Sequence, residues 1–545
     1  MRTTIVAATI GASAWAAGVE LAVDANRDGV VVTRSAASPR LPEDRTAPDK
    51  PFLFWLNDDQ DDKAYYESWP VRKPDRQDGV IRSARDLEDF ARLHVRLPPG
   101  ARGDDQLVFS LEALAGEPAI RIFPSEDARG RDLYLTAPDG GARQIAQPWN
   151  TALGVVSPRR PLTVYAATAN GGRLRGAVTP LLFEGAGRGT GVLTVTHVRG
   201  GRAMRGSAQV HLEIRHVKEM YGRVNAPWPL SKKPWDVLDA SPEIPDLTWH
   251  DDPMGRPFRR PWDEEPVKIV WVYGWLKQGD ENYRMATVHS GETIFKRLWH
   301  RGYRGRLIMF RWETRKHTLA MGLKQSEYRA YKFGPVLRDH VATLPENEQV
   351  FVTAHSLGNV VLLEALKVGL DCDAVLFQQA AVPASAFDPN PDLALPAHRG
   401  QPASRYAGYL ADCTVPIYSL YNAQDATWLG WNIVQEKFKP HSEWTKKYKP
   451  SPEGGAARLK YWWFFERPVT DPHEQLAFVE RARTNALGAE ARTAGAVRKA
   501  VDLDGRAFRF GSGHVSQWSL NPQRTTVFYN LVLDLLGQPY VGAGQ

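Results

Sequence analysis

Ser356 stands where a hydroxyl can become a nucleophile. The segment Ala354-His355-Ser356-Leu357-Gly358 follows a β-branched apolar run, Val350 to Thr353, and precedes a helix-forming run that starts at Val360 and meets no Gly or Pro until Gly369. A strand that turns at once into a helix leaves little room where the two cross, so the residues two before and two after the serine must be small. Ala354 and Gly358 meet that demand. The turn lifts the Ser356 hydroxyl above the sheet and sets the Leu357 N–H at a helix N-terminus, aimed at an oxyanion. Such a group attacks acyl carbons, provided that a base takes its proton and a third group holds the base in one tautomer.

The stretch His355-Ser-Leu-Gly-Asn-Val-Val-Leu-Leu-Glu-Ala-Leu366 resembles the nucleophile elbow of the α/β-hydrolase superfamily, with the HSxGNxxLLEAL pattern of bacterial serine hydrolases. The resemblance covers roughly the second half of the chain, and Ala354 stands where glycine is usual. It implies a chain order of serine, acid, histidine. The expected acid is Asp425, just past the strand-like run Val415 to Leu420, with Asp388 as its rival. The expected base is His514, in the Gly-rich loop Phe508-Arg-Phe-Gly-Ser-Gly-His514 ahead of a terminal helix from Thr525 to Leu536; His473 is the rival. His355 is expected to pack rather than react. Tyr273-Gly274-Trp275 falls where similar hydrolases carry a His-Gly-x turn, which implies Trp275 N–H as the second oxyanion donor. The implied activity is that of an esterase or lipase-like enzyme on small-molecule or lipid-like acyl esters, with no cofactor needed for the chemistry. A peptidase or amidase would use the same residues, and a binding protein that kept the fold without the chemistry is the reading from another class.

A second chemical pattern lies near the N-terminus. Asp24, Asn26, Asp28 and Gly29 have the D-x-N-x-D-G spacing of a calcium loop. Position twelve is Ser35 rather than glutamate, which excludes an EF-hand. Either distant acids such as Asp58 to Asp62 close a calcium site, or the stretch is an acidic turn. Cys372 and Cys413 each precede an apolar run, and neighbouring parallel strands would bring them within reach of a disulfide; two separate thiols is the equal alternative.

The elements that must position these groups divide the chain. From His94 to Val217, short apolar runs such as Leu107–Leu111, Ala119–Phe123, Leu133–Thr136 and Gly191–Thr196 alternate with turn signals, which predicts an antiparallel β-sandwich. Residues 220–265 are rich in Pro and Trp and are expected to form a linker. From residue 266, buried-strand patterns (Pro266–Leu276, Gly305–Trp312) alternate with helical ones (Thr287–Arg301, Tyr328–Leu344, with an interruption suggested at Gly334-Pro335). The expected fold is therefore a doubly wound, mostly parallel sheet of the α/β-hydrolase kind over 266–540, preceded by an all-β sandwich over 18–219. The long stretch between Asp425 and His514 carries Trp428, Trp431 and Tyr461 to Phe465, suited to an acyl or ring pocket or simply to packing.

Residues 1–17 have the small and apolar make-up of a secretory signal peptide, so export is expected. Elsewhere no apolar run is long enough to span a bilayer. The net charge of +7 is spread along the chain rather than massed in a stripe, which argues against a nucleic-acid partner.

Overall fold

The computed structural model describes residues 18–32, 44–57, 78–126, 132–169, 178–226, 258–275, 280–312, 314, 320–382, 386, 410, 412–425, 427, 457–460, 466–469 and 500–541. The leader 1–17, most of the expected linker, Asp388, His473 and the aromatic residues of the long insertion lie outside them. The chain forms two units: Met1–Asp59 with Asp75–His216, and Gln60–Pro74 with Val217–Gln545.

Among its described residues the first unit holds eight strands: β1 (Glu20–Val23), β2 (Phe52–Trp55), β3 (Ala91–Arg96), β4 (Gln106–Pro124), β5 (Gly154–Val156), β6 (Leu162–Tyr165), β7 (Val178–Arg199) and β8 (Arg202–Arg215). They join into one sheet, where the sequence pattern suggests a sandwich. The reason is the length of β4 and β7, which pair with each other from end to end. One half of β7 pairs with β3 and the other with β8, so the two strands belong to both halves of the sheet. The pairing shifts register near Ala113 to Ile120, opposite the alternate glycines Gly185, Gly187, Gly189 and Gly191 of β7. A Cβ at Gly187, Gly189 or Gly191 would come within 2.3–2.5 Å of a β4 carbonyl oxygen, so only glycine lets the two strands run this close through the bulges, and one at Gly185 would lie 2.3 Å from the Trp55 carbonyl oxygen of β2. Leu133–Thr136 forms one turn of helix rather than the expected strand. It buries Tyr134 and Leu135 beside Phe90, Phe123 and Leu182, and so short an apolar run does not by itself distinguish the two conformations.

The second unit is α/β. Its sheet contains β9 (Gly222–Ala226), β10 (Val267–Val272), β11 (Arg306–Trp312), β12 (Gln349–His355), β13 (Ala374–Gln378) and β14 (Ile417–Tyr421). The hairpin β15 (Ala457–Lys460) and β16 (Glu466–Val469) pairs by itself, and β17 (Ala500–Asp504) completes the main sheet. The order is β17-β14-β13-β12-β10-β11-β9, and every pair is parallel. Residues 222–226, expected within a linker, thus form an edge strand along β11. Val224 and Ala226 are buried in the core of this unit, which gives so short a segment its reason to pair.

Among the described residues four longer helices accompany the sheet: α1 (Asp280–His300), α2 (Ala320–Ala342), α3 (Gly358–Lys367) and α4 (Pro522–Leu535). α2 runs on through Gly334-Pro335, where burial of Phe333, Val336 and Leu337 holds the helix on the core. The buried strands β10, β12 and β13 read as nearly continuous apolar runs because both faces are covered. Arg297 of α1 donates to the carbonyls of Gln517 and Leu520 and to the Thr525 hydroxyl, tying the C-terminal segment to α1. Among the described residues no helix is long and apolar enough to cross a membrane.

Candidate active site

β10 runs to β11 on one side and, through α2, the chain returns to place β12 on the other. A crevice at the C-terminal strand ends is the usual binding place of such a sheet, at the point where strand order reverses. Ser356 follows β12 at that point, with a φ of 53°. So strained a backbone for a residue with a side chain persists only where its surroundings hold it in place. The turn is held by the Ser356 N–H donating to the Gln378 carbonyl (3.0 Å) and by the Asn359 side chain donating to the Ser356 carbonyl (2.9 Å). The steric demand at Gly358 is acute, since a Cβ there would sit 2.3 Å from the Tyr273 carbonyl oxygen at the end of β10. Gly358→Ala is therefore expected to destabilise the second unit by about 3 kcal/mol, read as a lowered denaturant midpoint, because a central strand rather than a flexible side chain must yield.

The histidine arrives from β17 through the loop 505–515. Its Nε2 lies 2.8 Å from Ser356 Oγ and its Nδ1 lies 2.5 Å from Asp425 Oδ2. A carboxylate only accepts, so Nδ1 carries the proton and Nε2 is left to accept from the serine hydroxyl. Asp425 is buried at the end of the β14 loop, where its Oδ1 accepts from the Thr427 N–H (2.8 Å) and its Oδ2 also accepts from the Gln379 amide (2.9 Å). The structure thus brings Ser356, His514 and Asp425 into one hydrogen-bonded line.

Leu357 is the residue at the head of α3 and is buried. Gly274 packs against the serine, where an added Cβ would lie 3.1 Å from Ser356 Cβ. That contact runs the backbone just before Trp275 beside the elbow, and the Tyr273 carbonyl accepts from Trp312 Nε1 (2.6 Å), which fixes the strand end. His355 points away from the hydroxyl. Its Nε2–H donates to the His514 carbonyl (2.7 Å), and its ring meets Trp518 edge-on. Burial, reinforced by the nearby His514, holds its pKa well below the usual histidine range, so it serves as a neutral donor. Sequence spacing carries no signal for this role, nor for Gln379, because both contacts run to residues that the fold alone brings near.

The expected calcium residues lie in the first unit. Asp24 accepts from the N–H groups of Asp28 and Gly29 (3.1 Å each) and pairs with Arg92. Asn26 Oδ1 accepts from the Asp28 N–H (3.0 Å), Asp28 accepts from the Val30 N–H (2.8 Å), and Asp44 accepts from the N–H groups of Asn26 (3.3 Å) and Val32 (2.7 Å). Among the described residues no group of three or more His, Cys, Asp or Glu is placed to hold a metal, and Asp58 to Asp62 lie outside them. Burial pushes Asp24 up to about 6 in spite of Arg92, with repulsion from Asp28 and Asp132 adding to it. Asp44 is pushed up to about 8 by burial and by Asp24 and Asp28. Both folded values exceed the ordinary 3.8, so the fold holds protons that the unfolded chain has released. The stability contributed by this loop is accordingly present at low pH and lost as pH rises from about 4 towards 8. Amide-exchange protection of Asp28 to Val30 is expected to fall over that window in calcium-free buffer. A calcium loop would regain protection near pH 8 when calcium is added, because the ion binds the carboxylates; the Arg92-tied turn would not respond. Cys372 and Cys413 are not joined in a disulfide, and each thiol is turned to a carbonyl of its own chain segment.

No family model and no curated protein matches the sequence. Among solved structures, the chain is similar to a mutant of YbtT, a type II thioesterase from the yersiniabactin biosynthetic pathway, at 9% identity and a TM-score of 0.23, over 50% of this chain and 93% of that one. It is also similar to a Pyrococcus furiosus esterase (11%, TM-score 0.23, 51% and 84%) and to a serine hydrolase involved in carbazole degradation (10%, TM-score 0.24, 50% and 92%).

Proposed function

We propose that the second unit is a serine hydrolase that cleaves carboxylic esters through an acyl-enzyme, with an esterase- or lipase-like range of substrates. The observation that carries this reading is the line Asp425–His514–Ser356 at 2.5 and 2.8 Å, ending on a serine in a left-handed turn. The strand order, and the order of serine, acid and histidine along the chain, suit the α/β-hydrolase fold that the elbow sequence resembles.

In this reading Ser356 Oγ attacks the acyl carbon while His514 Nε2 takes its proton. Asp425 keeps the imidazole in the Nδ1–H tautomer and stabilises the imidazolium as it forms. The N–H groups of Leu357 and Trp275 hold the charge that develops on the carbonyl oxygen. His514 then returns the proton to the departing alkoxide, and the alcohol leaves. Water gives a proton to His514 and attacks the acyl-enzyme, and His514 passes that proton to Ser356 Oγ as the acid departs, restoring the free serine. The aromatic residues between Asp425 and His514 would favour apolar acyl chains, which a chain-length series of esters measures directly. Export through residues 1–17 belongs to the same reading and is tested by the N-terminal sequence of protein recovered from the secreting cell.

The deciding experiment is labelling of the intact chain with a fluorophosphonate, followed by mapping of the modified peptide. Modification at Ser356 together with turnover of p-nitrophenyl esters is expected. Cleavage of peptides in preference to esters would move the assignment to a peptidase or amidase using the same groups. A folded chain that takes no label would leave a binding protein.

A further inference from the structure

Three neighbouring strands each send one side-chain N–H from their C-terminal ends to the loop that carries His514. His355, ending β12, donates to the His514 carbonyl at 2.7 Å; Gln379, after β13, to the Gly513 carbonyl at 3.0 Å; and Asn422, after β14, to the Gly511 carbonyl at 2.9 Å. Gln379 also reaches the acid, because the same Nε2 donates to Asp425 Oδ2 at 2.9 Å. We propose that Gln379 is a positioning residue that fixes the acid and the base of this site to each other, placing the two hydrogens of one amide on Asp425 and on the carbonyl that precedes His514. The assignment rests on the reading of Ser356, His514 and Asp425 as a hydrolytic triad.

The chemistry of the site settles which way the amide faces. Both neighbours of Nε2 are acceptors, so a flipped amide would press its oxygen against a carboxylate and a carbonyl. The amide oxygen, in contrast, is buried and has no hydrogen-bond partner among the described residues. A side chain needed only to fill space would not bury an oxygen without a partner, since an apolar chain of the same shape avoids that cost. Gln379 also holds a φ of 42°, in the left-handed region, directly after its N–H pairs with the Leu420 carbonyl at the end of the sheet. The backbone is thus bent at the residue whose amide must face two groups at once.

Those groups come from distant parts of the chain. Asp425 rides on the β14 loop, and the Gly513 carbonyl belongs to the segment after β17. With Oδ1 held by the Thr427 N–H and Oδ2 shared by the Gln379 and His514 N–H groups, the carboxylate cannot rotate without losing a partner. The Ser516 hydroxyl also donates to the Gly513 carbonyl (3.0 Å) but stays within this turn, whereas Gln379 adds to the His514–Asp425 bond a second link from the turn to the acid.

The test uses the full-length chain, with wild type and two variants followed by ester turnover and by fluorophosphonate labelling. The final extent of labelling counts folded sites, and its rate reads activation of Ser356. Gln379→Met keeps the bulk and removes the donors; kcat per labelled site is expected to fall about tenfold to hundredfold with KM unchanged, and the labelling rate to fall in step. In Gln379→Glu the new carboxyl, facing Asp425, His514 and His355, can donate only when protonated. The ratio of its kcat to that of wild type is therefore expected to rise as pH falls. A labelled wild type beside a Gln379→Met chain that turns over equally fast per labelled site, whatever its Tm, overturns the assignment of Gln379 alone, as does a flat Gln379→Glu ratio. A wild-type chain that takes no label overturns the hydrolase reading and this one with it.

Discussion

Replacing Ser356 by alanine is expected to lower ester hydrolysis by about a millionfold while leaving the fold in place. The loss is so large because every step passes through one oxygen, the Ser356 Oγ that lies 2.8 Å from His514 Nε2. The structural cost is small, since the left-handed backbone at φ 53° is held by contacts of the main chain and of Asn359 rather than by the serine hydroxyl. Ser356→Ala should therefore keep its far-UV circular dichroism and its unfolding midpoint, and it should take no fluorophosphonate. Retention of wild-type turnover in this variant would place the nucleophile elsewhere and end the proposed mechanism.

The second large effect is expected at the acid. Asp425→Asn preserves shape and burial yet should reduce kcat by about ten-thousandfold. Three N–H groups point at the wild-type carboxylate, those of Thr427, Gln379 and His514. An asparagine offers one acceptor oxygen and one NH2, so at least one of these donors must face another donor. Turning its oxygen to Thr427 leaves the NH2 against Gln379 and His514. The imidazole escapes the clash by moving its proton to Nε2, which then faces the serine as a donor and can no longer take the serine proton. Turning the oxygen the other way sets the NH2 against the Thr427 N–H and shifts the loop instead. Steady-state turnover together with the labelling rate checks this. A loss below about tenfold would mean that the tautomer is fixed by other groups, and the role assigned to Asp425 would fail.

Much of the second unit was legible in the residues themselves. The runs that became β10, β11, β12, β13 and β14 are apolar and β-branched because both faces of a parallel strand are covered, and the helices between them fill the gaps such crossovers need. The elbow was legible for a steric reason: Ala354 and Gly358 flank Ser356 because strand and helix nearly touch, and the 2.3 Å approach of a Cβ at Gly358 to the Tyr273 oxygen is the structural form of that demand. The places of Asp425 after a late strand and of His514 ahead of a terminal helix favour them in the sequence; in the structure His514 meets Ser356 and Asp425 meets His514, while Asp388 and His473 lie outside the described residues.

Other parts were not legible. β9 lies in a stretch dominated by Pro and Trp, and β17 is a five-residue segment with charged neighbours; each becomes a strand because an edge of the sheet is there to receive it. In the first unit, the alternate glycines of β7 look like loop composition in a linear reading. They are instead the places where β7 passes close to the backbone of its neighbours, three of them against β4 through its bulges and Gly185 against Trp55 at the end of β2.

What the sequence determined by itself, then, is what short-range sterics and periodicity control: the strained turn at Ser356, the strand that leads into it, and the helix that follows it. The tertiary structure decided what depends on strand order. Gln379 meets Asp425 across 46 positions, His514 meets Asp425 across 89 and Ser356 across 158. Residues so far apart share no local pattern, and they become neighbours only because parallel pairing sets the C-terminal ends of β12, β13, β14 and β17 side by side.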